Sequence, residues 1–265
     1  MKVVYLGPEG SYSSLAAKKL CPEDCLFPRG SFYAVVSALL SKEADRAVLP
    51  VENTLQGAVV QNLDLLYANR ELFAVREYLL KIDHRLIAKT GVPIGEIRRI
   101  FSHEQAILQC GKFIAEYMPA AKIVYTESTA ESLSKMSLNT DAGIVGAHMY
   151  KEGYSLSSDN IADEKRNFTH FLLISRDEKD LPAVSEKIYF AASCPHEPGA
   201  LLKMLQILAV YDLNMTKIES RPKKETPGEY NFFIEFEGNI AASGVKAALA
   251  RLKEYTNNFK LLGCY

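Results

Sequence analysis

Tyr230-Asn231-Phe232-Phe233-Ile234-Glu235-Phe236-Glu237 is an alternating stretch of apolar and polar side chains. A period of two is typical of a β-strand that buries one face and exposes the other. The sequence on both sides of this stretch is patterned just as regularly. An apolar strand is expected at Ile188–Ser193, another strand at Leu213–Pro222 and a turn at residues 223–228.

Two helices and a last strand complete the same segment. The apolar residues at helical spacing are Leu201, Leu202, Leu205 and Leu208 in the first helix, and Val245, Leu249 and Leu252 in the second. Pro198 is expected at the first helical position, and Ser243 is expected to cap the second helix. With a closing strand at Phe259–Cys264, the order βαββαβ predicts a ferredoxin-like module over residues 187–265. The polar stretch at residues 179–187 predicts a linker in front of it.

The first 178 residues alternate in a different way. Short strands of the buried type are each followed by a helical pattern: Val3–Leu6, Arg46–Pro50, Arg99–Ser102, Lys122–Thr126 and Ala142–Gly146. This alternation predicts a parallel α/β sheet, or a pair of such sheets. A polar link at residues 81–84 divides the segment, so a second lobe is expected at about residues 82–153. We therefore predict two lobes with a cleft between them.

Small hydroxyl and amide residues follow four of these strands. The clusters lie at Gly7–Ser14, Val51–Ala58, Ser102–Gln105 and Glu127–Ala130. Taken singly, each cluster is most simply the N-cap of a helix. In parallel sheets, however, ligands bind beyond the carboxyl ends of the strands, where helix N-termini present free N–H groups. The four clusters together predict a polar cleft suited to a small polyanionic molecule.

Composition excludes several classes of function. The 265 residues are 48% hydrophobic and 24% charged, which is ordinary for a soluble protein. A formal net charge of −1 provides no basic surface for nucleic acid or for an anionic membrane. No apolar stretch approaches the ~18 residues that cross a bilayer. The five cysteines are scattered, which indicates free thiols in the cytoplasm and no metal site. Nucleotide-binding and serine-hydrolase motifs are absent, so no cofactor is expected.

The clusters resemble motifs of the prephenate dehydratase family. Gly7–Ser13 is similar to its Gly-Pro-x-Gly-Thr-Phe opening and Pro50–Gly57 to its Pro-Ile-Glu-Asn-Ser-x-x-Gly motif. Ser102–Cys110 resembles its Ser-His-Pro-Gln element, and Glu127–Ala130 its Ser-Thr-Ala element. Asn167–Phe171 resembles its Asn-x-Thr-Arg-Phe signature. The motifs occur in the family's order and span essentially the whole chain.

This resemblance implies a fold and a reaction. The fold would be a periplasmic-binding-protein-like catalytic domain over residues 1–178, followed by a regulatory ACT domain over residues 187–265. Prephenate would lose its carboxylate and its ring hydroxyl to give phenylpyruvate, and Thr169 would donate or relay a proton to that hydroxyl. Substrate contacts would come from Ser11, Asn53, Ser102, Gln109, Glu127, Ser128, Thr129, His170 and Phe171.

One position departs from the family pattern. The family has an arginine after the threonine, where this sequence has His170. An arginine is always charged and grips a carboxylate at two points, whereas a histidine does so only when protonated and with one nitrogen. We therefore expect a weaker grip on the substrate at high pH, or a contact from Lys165 or Arg166 instead.

The resemblance also implies regulation by phenylalanine. Two motifs, Pro198–Leu201 and Glu219–Pro222, are similar to the effector-site motifs of the family's ACT domain. The effector would lie between two ACT modules, in contact with Gly199, Ala200, Leu201, Glu219, Ser220 and Arg221. Such a site requires a homodimer or a homotetramer. Inhibition would follow if phenylalanine favours a state in which the cleft is closed or misaligned.

Other functions remain open at this point. An arogenate dehydratase would act on a substrate that differs from prephenate by an amino group. A prephenate decarboxylase would keep the ring hydroxyl and would not need Thr169. A catalytically silent amino-acid sensor is supported only by His170 in place of arginine.

Overall fold

The computed structural model describes residues 1–223, 226 and 228–265. Its helices are α1 (Tyr12–Leu20), α2 (Phe32–Leu40), α3 (Val60–Ala68), α4 (Glu104–Gln109), α5 (Gly111–Tyr117), α6 (Ser132–Lys135), α7 (Ala200–Val210) and α8 (Ser243–Tyr255). The strands of the first sheet are β1 (Lys2–Leu6), β2 (Cys25–Arg29), β3 (Arg46–Asn53), β4 (Gly57–Ala58), β5 (Phe73–Lys81), β11 (Phe168–Ser175), β12 (Lys187–Ser193), β13 (Met215–Pro222), β14 (Tyr230–Glu237) and β15 (Asn257–Cys264). The second sheet contains β6 (His84–Lys89), β7 (Arg99–Ser102), β8 (Lys122–Tyr125), β9 (Asp141–Gly146) and β10 (Tyr154–Leu156).

The predicted pair of α/β sheets is confirmed, with mixed strand directions. β1 runs parallel to β2 and β3 in the first lobe, and β7 runs parallel to β8 and β9 in the second. β11 lies antiparallel between β3 and β5, because the chain returns through it from the second lobe to the first. This two-lobed arrangement is periplasmic-binding-protein-like. The sheet of the second lobe is built from residues 84 to 156.

The C-terminal segment has the sheet order β13-β14-β12-β15, with α7 and α8 as crossovers. This is the ferredoxin-like arrangement that the alternating pattern predicts. Inward-facing residues of β12 and β14 form its core with both helices, including Phe190, Phe236, Leu208 and Leu252. Each large apolar side chain that is fully buried in this way contributes roughly 1.5–3 kcal/mol.

Three local predictions in this module are wrong. α7 begins at Ala200, so Pro198 lies in the preceding turn and Gly199 is the N-cap, with φ +80°. Leu202 faces solvent and is 60% exposed, because the buried stripe of α7 is Ala200, Met204 and Leu208. Ser243 is the first residue of α8 and does not cap it. Residues 224, 225 and 227 of the predicted turn lie outside the described residues.

The two modules are joined through a shared sheet and a shared core. β15 runs parallel to β5, with Gly263 opposite Ala74, so one ten-stranded sheet extends through both modules in the described part of the chain. Leu66 of α3 belongs to the same buried cluster as Tyr189 and Phe233 of the C-terminal module. Among the described residues, no helix combines the length and the apolar character that crossing a membrane requires.

Candidate active site

A cleft of about 400 Å³ lies between the two lobes. Its walls come from the ends of β1, β3 and β11 in the first lobe, and from α4 and the loop after β8 in the second. The structure places most of the predicted site residues in this cleft: Ser11, Asn53, Gln109, Glu127, Ser128, Thr129, Thr169 and Phe171. Ser102 and His170 do not line it.

The Thr169 hydroxyl is oriented by Asn53. The two residues face each other across β11 and β3, and Asn53 Nδ2 donates to Thr169 Oγ1 at 3.0 Å. Asn53 Oδ1 accepts from the amide of Leu55 at 3.0 Å, which fixes the side-chain amide in this direction. Because an amide nitrogen cannot accept a hydrogen bond, Thr169 Oγ1 is the acceptor in this pair. The Thr169 hydrogen therefore remains free to point to another partner in the cleft.

A chain of hydrogen bonds links this pair to the second lobe. Asn53 Nδ2 also donates to Asn167 Oδ1 at 2.8 Å, and Asn167 Nδ2 donates to Gln109 Oε1 at 3.0 Å. His84 Nε2 lies 2.9 Å from the same Gln109 oxygen, which places the imidazole proton on Nε2. Burial lowers the pKa of His84, so its ring is held neutral. The network spans both lobes and fixes their relative position at the cleft.

Sequence reasoning missed two members of this network. His84, which the sequence does not single out, is 3% exposed, and its Nδ1 lies 3.2 Å from the hydroxyl of Tyr12. No local pattern marks it, because its partners come from distant parts of the chain. Asn167 did carry a signal, since it opens the Asn-x-Thr motif that contains Thr169.

Residues with hydroxyl or amide side chains make up most of the polar walls. None of the described residues that line the cleft is a lysine or an arginine. Ser11 caps α1 by accepting from the amide of Ser14, and the positive end of the helix dipole then lies beside Tyr12 and Ser13, which line the cleft. Such amides and hydroxyls can hold an anion without a cationic side chain.

Ser102 has a structural role instead of the predicted binding role. It is fully buried, and its hydroxyl donates to the carbonyl of Ile144 at 2.7 Å, which ties β7 to β9. A second cluster also differs from the sequence prediction. The residues at Val51–Ala58 were expected to open a helix, but they do not. Asn53 and Gly57 form a short antiparallel pairing of β3 with β4, and α3 begins only at Val60.

His170 lies on the opposite face of the sheet from the cleft. Successive side chains of a strand point to opposite faces, so His170 must turn away when Thr169 faces the cleft. Its Nε2 lies 2.7 Å from Glu77 Oε2. Lys165 and Arg166 are exposed and do not line the cleft either. The expected contact of His170 with a substrate carboxylate is therefore wrong, and the pH dependence derived from it loses its structural basis.

The predicted effector residues divide between two faces of the C-terminal module. Ala200 and Leu201 line a cavity of about 160 Å³ together with Phe232, which is opposite Ser220 in the strand register. Gly199 does not line this cavity, but its positive φ turns the chain into α7. Arg221 points to the other face, where its Nη2 lies 3.5 Å from Asp64 Oδ2 of α3. By strand alternation, Glu219 shares that face and so lies away from the cavity.

Comparison with known proteins identifies the family. Residues 3–179 match the family model described as prephenate dehydratase. The chain belongs to the prephenate dehydratase family. A prephenate dehydratase from Lactococcus lactis subsp. cremoris (strain MG1363) is 33% identical, covering 100% of this chain and 97% of the relative. Arogenate dehydratase 5, chloroplastic, from Arabidopsis thaliana is 34% identical over 100% of this chain and 67% of its own length.

A solved structure shows the same likeness over the whole chain. The prephenate dehydratase from Arthrobacter aurescens, solved in complex with L-Phe, has a TM-score of 0.87 and 29% sequence identity. The comparison covers 100% of this chain and 90% of that chain. The ferredoxin-like module is therefore included in the similarity, although the family model itself ends at residue 179.

Proposed function

We propose that this member of the prephenate dehydratase family converts prephenate to phenylpyruvate in the biosynthesis of phenylalanine. The reaction breaks the C–O bond to the ring hydroxyl and the C–C bond to the ring carboxylate. The electron pair of the broken C–C bond enters the ring, which becomes aromatic. One proton is consumed, and the products are phenylpyruvate, carbon dioxide and water. In this assignment the enzyme is a hydro-lyase that works in the cytoplasm, where its five free cysteines stay reduced.

The observation that carries this proposal is the oriented hydroxyl of Thr169. Asn53 occupies the acceptor side of Oγ1, so the Thr169 proton is available to the leaving hydroxyl of a substrate in the cleft. A threonine is too weak an acid for free proton transfer at neutral pH. Its main contribution is a preorganised hydrogen bond to the charge that develops on the leaving oxygen, with the proton transferred late and in concert.

The walls of the cleft suit a substrate with two carboxylates. The start of α1 at Tyr12 and Ser13, and the loop residues Ser128 and Thr129, offer amide and hydroxyl donors. The apolar part of the lining, which includes Phe171 and Val59, accommodates the six-membered ring.

A pair of Thr169 variants tests the role of the hydroxyl. Thr169→Val keeps the shape of the side chain and removes the O–H group, whereas Thr169→Ser keeps the O–H group. We expect kcat/KM for prephenate to fall by about 10²–10⁴-fold in Thr169→Val, the range of general acid catalysis, and much less in Thr169→Ser. Phenylpyruvate formation is measured, with circular dichroism as a check on folding. Equal activity of the wild type and a folded Thr169→Val variant would rule out this mechanism.

Arogenate is a second candidate substrate, because of one residue in the cleft. Glu127 is the carboxylate among the described lining residues, and it could pair with the amino group that distinguishes arogenate from prephenate. Measuring kcat/KM for both substrates decides between them. If arogenate is preferred, Glu127→Gln should lower its kcat/KM and leave that of prephenate unchanged. If prephenate is preferred by the wild type, this second candidate is excluded.

Feedback by phenylalanine is part of the same proposal. The similar protein from Arthrobacter aurescens was solved with L-Phe, and the cavity beside α7 offers the apolar side chains of Leu201 and Phe232. We propose that two ferredoxin-like modules, acting as ACT domains, enclose the effector in a homodimer or homotetramer. Exposed apolar side chains at Leu202 and Ile218 give the module a surface for this contact. Light scattering gives the oligomeric state, and a monomer that binds phenylalanine would contradict this arrangement.

A further inference from the structure

A cluster of polar residues fills the junction between the catalytic strands and the ferredoxin-like module. We call Glu77, His170, Lys187, Glu235 and Tyr265 the junction cluster. Glu77 Oε2 lies 2.7 Å from His170 Nε2, and Lys187 Nζ donates to the same oxygen at 3.0 Å. Lys187 Nζ also lies 3.6 Å from Glu235 Oε1. One carboxylate of the catalytic domain is thus shared by the catalytic strand and the ferredoxin-like module.

Glu77 and Lys187 are held in their charged states by neighbouring members of the cluster. Burial raises the pKa of Glu77, but His170 and Lys187 outweigh this effect and lower it overall. Burial lowers the pKa of Lys187, but Glu235 and Glu77 outweigh it and raise it overall. Glu77, His170 and Glu235 are close enough together to bind a metal ion. The Lys187 ammonium already provides a cation between the two carboxylates, so we assign no metal to the cluster.

At one end the cluster is connected to the catalytic threonine. His170 is the next residue after Thr169 in β11, and it is 9% exposed. Its ring also meets that of Tyr265 edge to face, with centroids 6.2 Å apart. Any displacement of Glu77 or Tyr265 therefore acts on the strand that positions Thr169 towards Asn53.

The other end of the cluster reaches the strand that carries an effector motif. Tyr265 donates to Glu235 Oε2 at 2.6 Å, and Thr216 donates to Glu235 Oε1 at 2.7 Å. Thr216 lies in β13, the edge strand that also contains Ser220. A change in β13 on effector binding is thus connected through three side-chain contacts to His170.

We propose that His170 is a positioning residue, and that the junction cluster transmits the effector response from the ferredoxin-like module to the catalytic strand. This inference rests on the proposed function, because it requires that the module bind phenylalanine. In this arrangement His170 contacts no substrate. It sets the orientation of β11, and hence of the Thr169 hydroxyl, through Glu77.

Glu77→Gln tests the inference with the smallest change, because it removes the shared negative charge and keeps the shape of the side chain. His170→Gln is the second variant and cuts the same route on the catalytic side. Glu71→Gln is the matched control, since Glu71 is an exposed carboxylate just before β5. For each protein we would measure kcat/KM for prephenate with and without saturating phenylalanine, and the Kd of phenylalanine by calorimetry.

We expect Glu77→Gln and His170→Gln to bind phenylalanine with the Kd of the wild type, while saturating phenylalanine lowers their kcat/KM on the order of tenfold less than it lowers that of the wild type. Glu71→Gln should behave as the wild type. A double variant should be no worse than either single variant, because both lie on one route. Inhibition curves of folded Glu77→Gln and His170→Gln that coincide with that of the wild type would overturn the inference.

Hydrogen exchange of β11 gives a readout that does not depend on turnover. In the wild type, phenylalanine should change the exchange of the amides in β11, and this change should be lost in Glu77→Gln. A wild type that forms no phenylpyruvate would refute the proposed function. The exchange of the β11 amides would still show whether phenylalanine binding to the ferredoxin-like module acts on β11. An unchanged effect of phenylalanine on β11 in Glu77→Gln would refute the coupling alone.

Discussion

Lys260 is a buried cation whose titration can be measured as a change in stability. It comes from β15 and is 6% exposed, and its ammonium donates to the carbonyls of Leu66 and Asn69 at the C-terminal end of α3. A cation is favourable at this end of a helix dipole. Even so, burial lowers its pKa to about 8, with a further contribution from Arg70.

The sign and size of the effect follow from proton linkage. In the unfolded chain the lysine keeps its ordinary pKa of ~10.4, so between pH 8 and that value the unfolded state binds more protons than the folded state. Stability attributable to Lys260 therefore rises with pH in this window. From the two pKa values, the free energy of unfolding should increase by about 2 kcal/mol between pH 7 and pH 9.5.

The assay compares the wild type with Lys260→Met at both pH values. Unfolding by guanidinium chloride is followed by circular dichroism, and the difference between the two proteins cancels the titration of all other groups. We expect this difference to change by about 2 kcal/mol in favour of the wild type at the higher pH. A difference that stays constant from pH 7 to pH 9.5 would refute the reasoning. It would mean that the hydrogen bonds to the carbonyls of α3 fully offset the free-energy cost of burying the Lys260 ammonium.

Two further predictions concern a close backbone contact and a buried ion pair. Gly263→Ala would place a Cβ 2.2 Å from the carbonyl oxygen of Ala74, so we expect a loss of about 1–3 kcal/mol in the free energy of unfolding, whereas Gly244→Ala in open space should be neutral or slightly stabilising. Equal effects of the two changes would contradict the close contact. Asp141→Asn should lose on the order of 3 kcal/mol at neutral pH, because Asp141 is fully buried and pairs with Arg99 at 2.8 Å. Burial raises the pKa of Asp141, but Arg99 and two backbone amides outweigh it and lower it overall, so the advantage of the wild type should vanish as the pH falls below the ordinary range of an aspartate. An advantage that persists in acid would exclude this cause.

The fold could be predicted from sequence where the pattern is strictly periodic. The alternation at residues 230–237 predicts both the strand and its module, because one buried face leaves a clear signal. β2 gives no such signal, since none of its five residues is buried and Pro28 interrupts it. The direction of β11 could not be predicted either, because strand direction depends on where the chain returns from the second lobe.

The site was predictable where a motif contributes its side chains directly to the cleft, as Asn53 and Thr169 do. The error at His170 has a simple physical cause. The family motif treats adjacent residues as one unit, although a strand sends them to opposite faces. Alternation alone, applied to a strand that begins at Phe168, would have separated Thr169 from His170. The predicted binding role of Ser102 has a different source of error. The hydroxyl of Ser102 bonds to Ile144, which lies on a strand that comes near only when the sheet has folded.

The shared sheet and core also determine whether the ferredoxin-like module can be expressed separately. Cut away at Lys187, it would lose its pairing with β5 and leave β15 as an open strand edge. The face that carries Tyr189, Phe233 and Leu262 would then be exposed to water, because these side chains are buried against α3. An apolar sheet face beside an unpaired edge is the combination that promotes aggregation. In this protein, the surface that joins the ferredoxin-like module to the first lobe is therefore part of what keeps that module soluble.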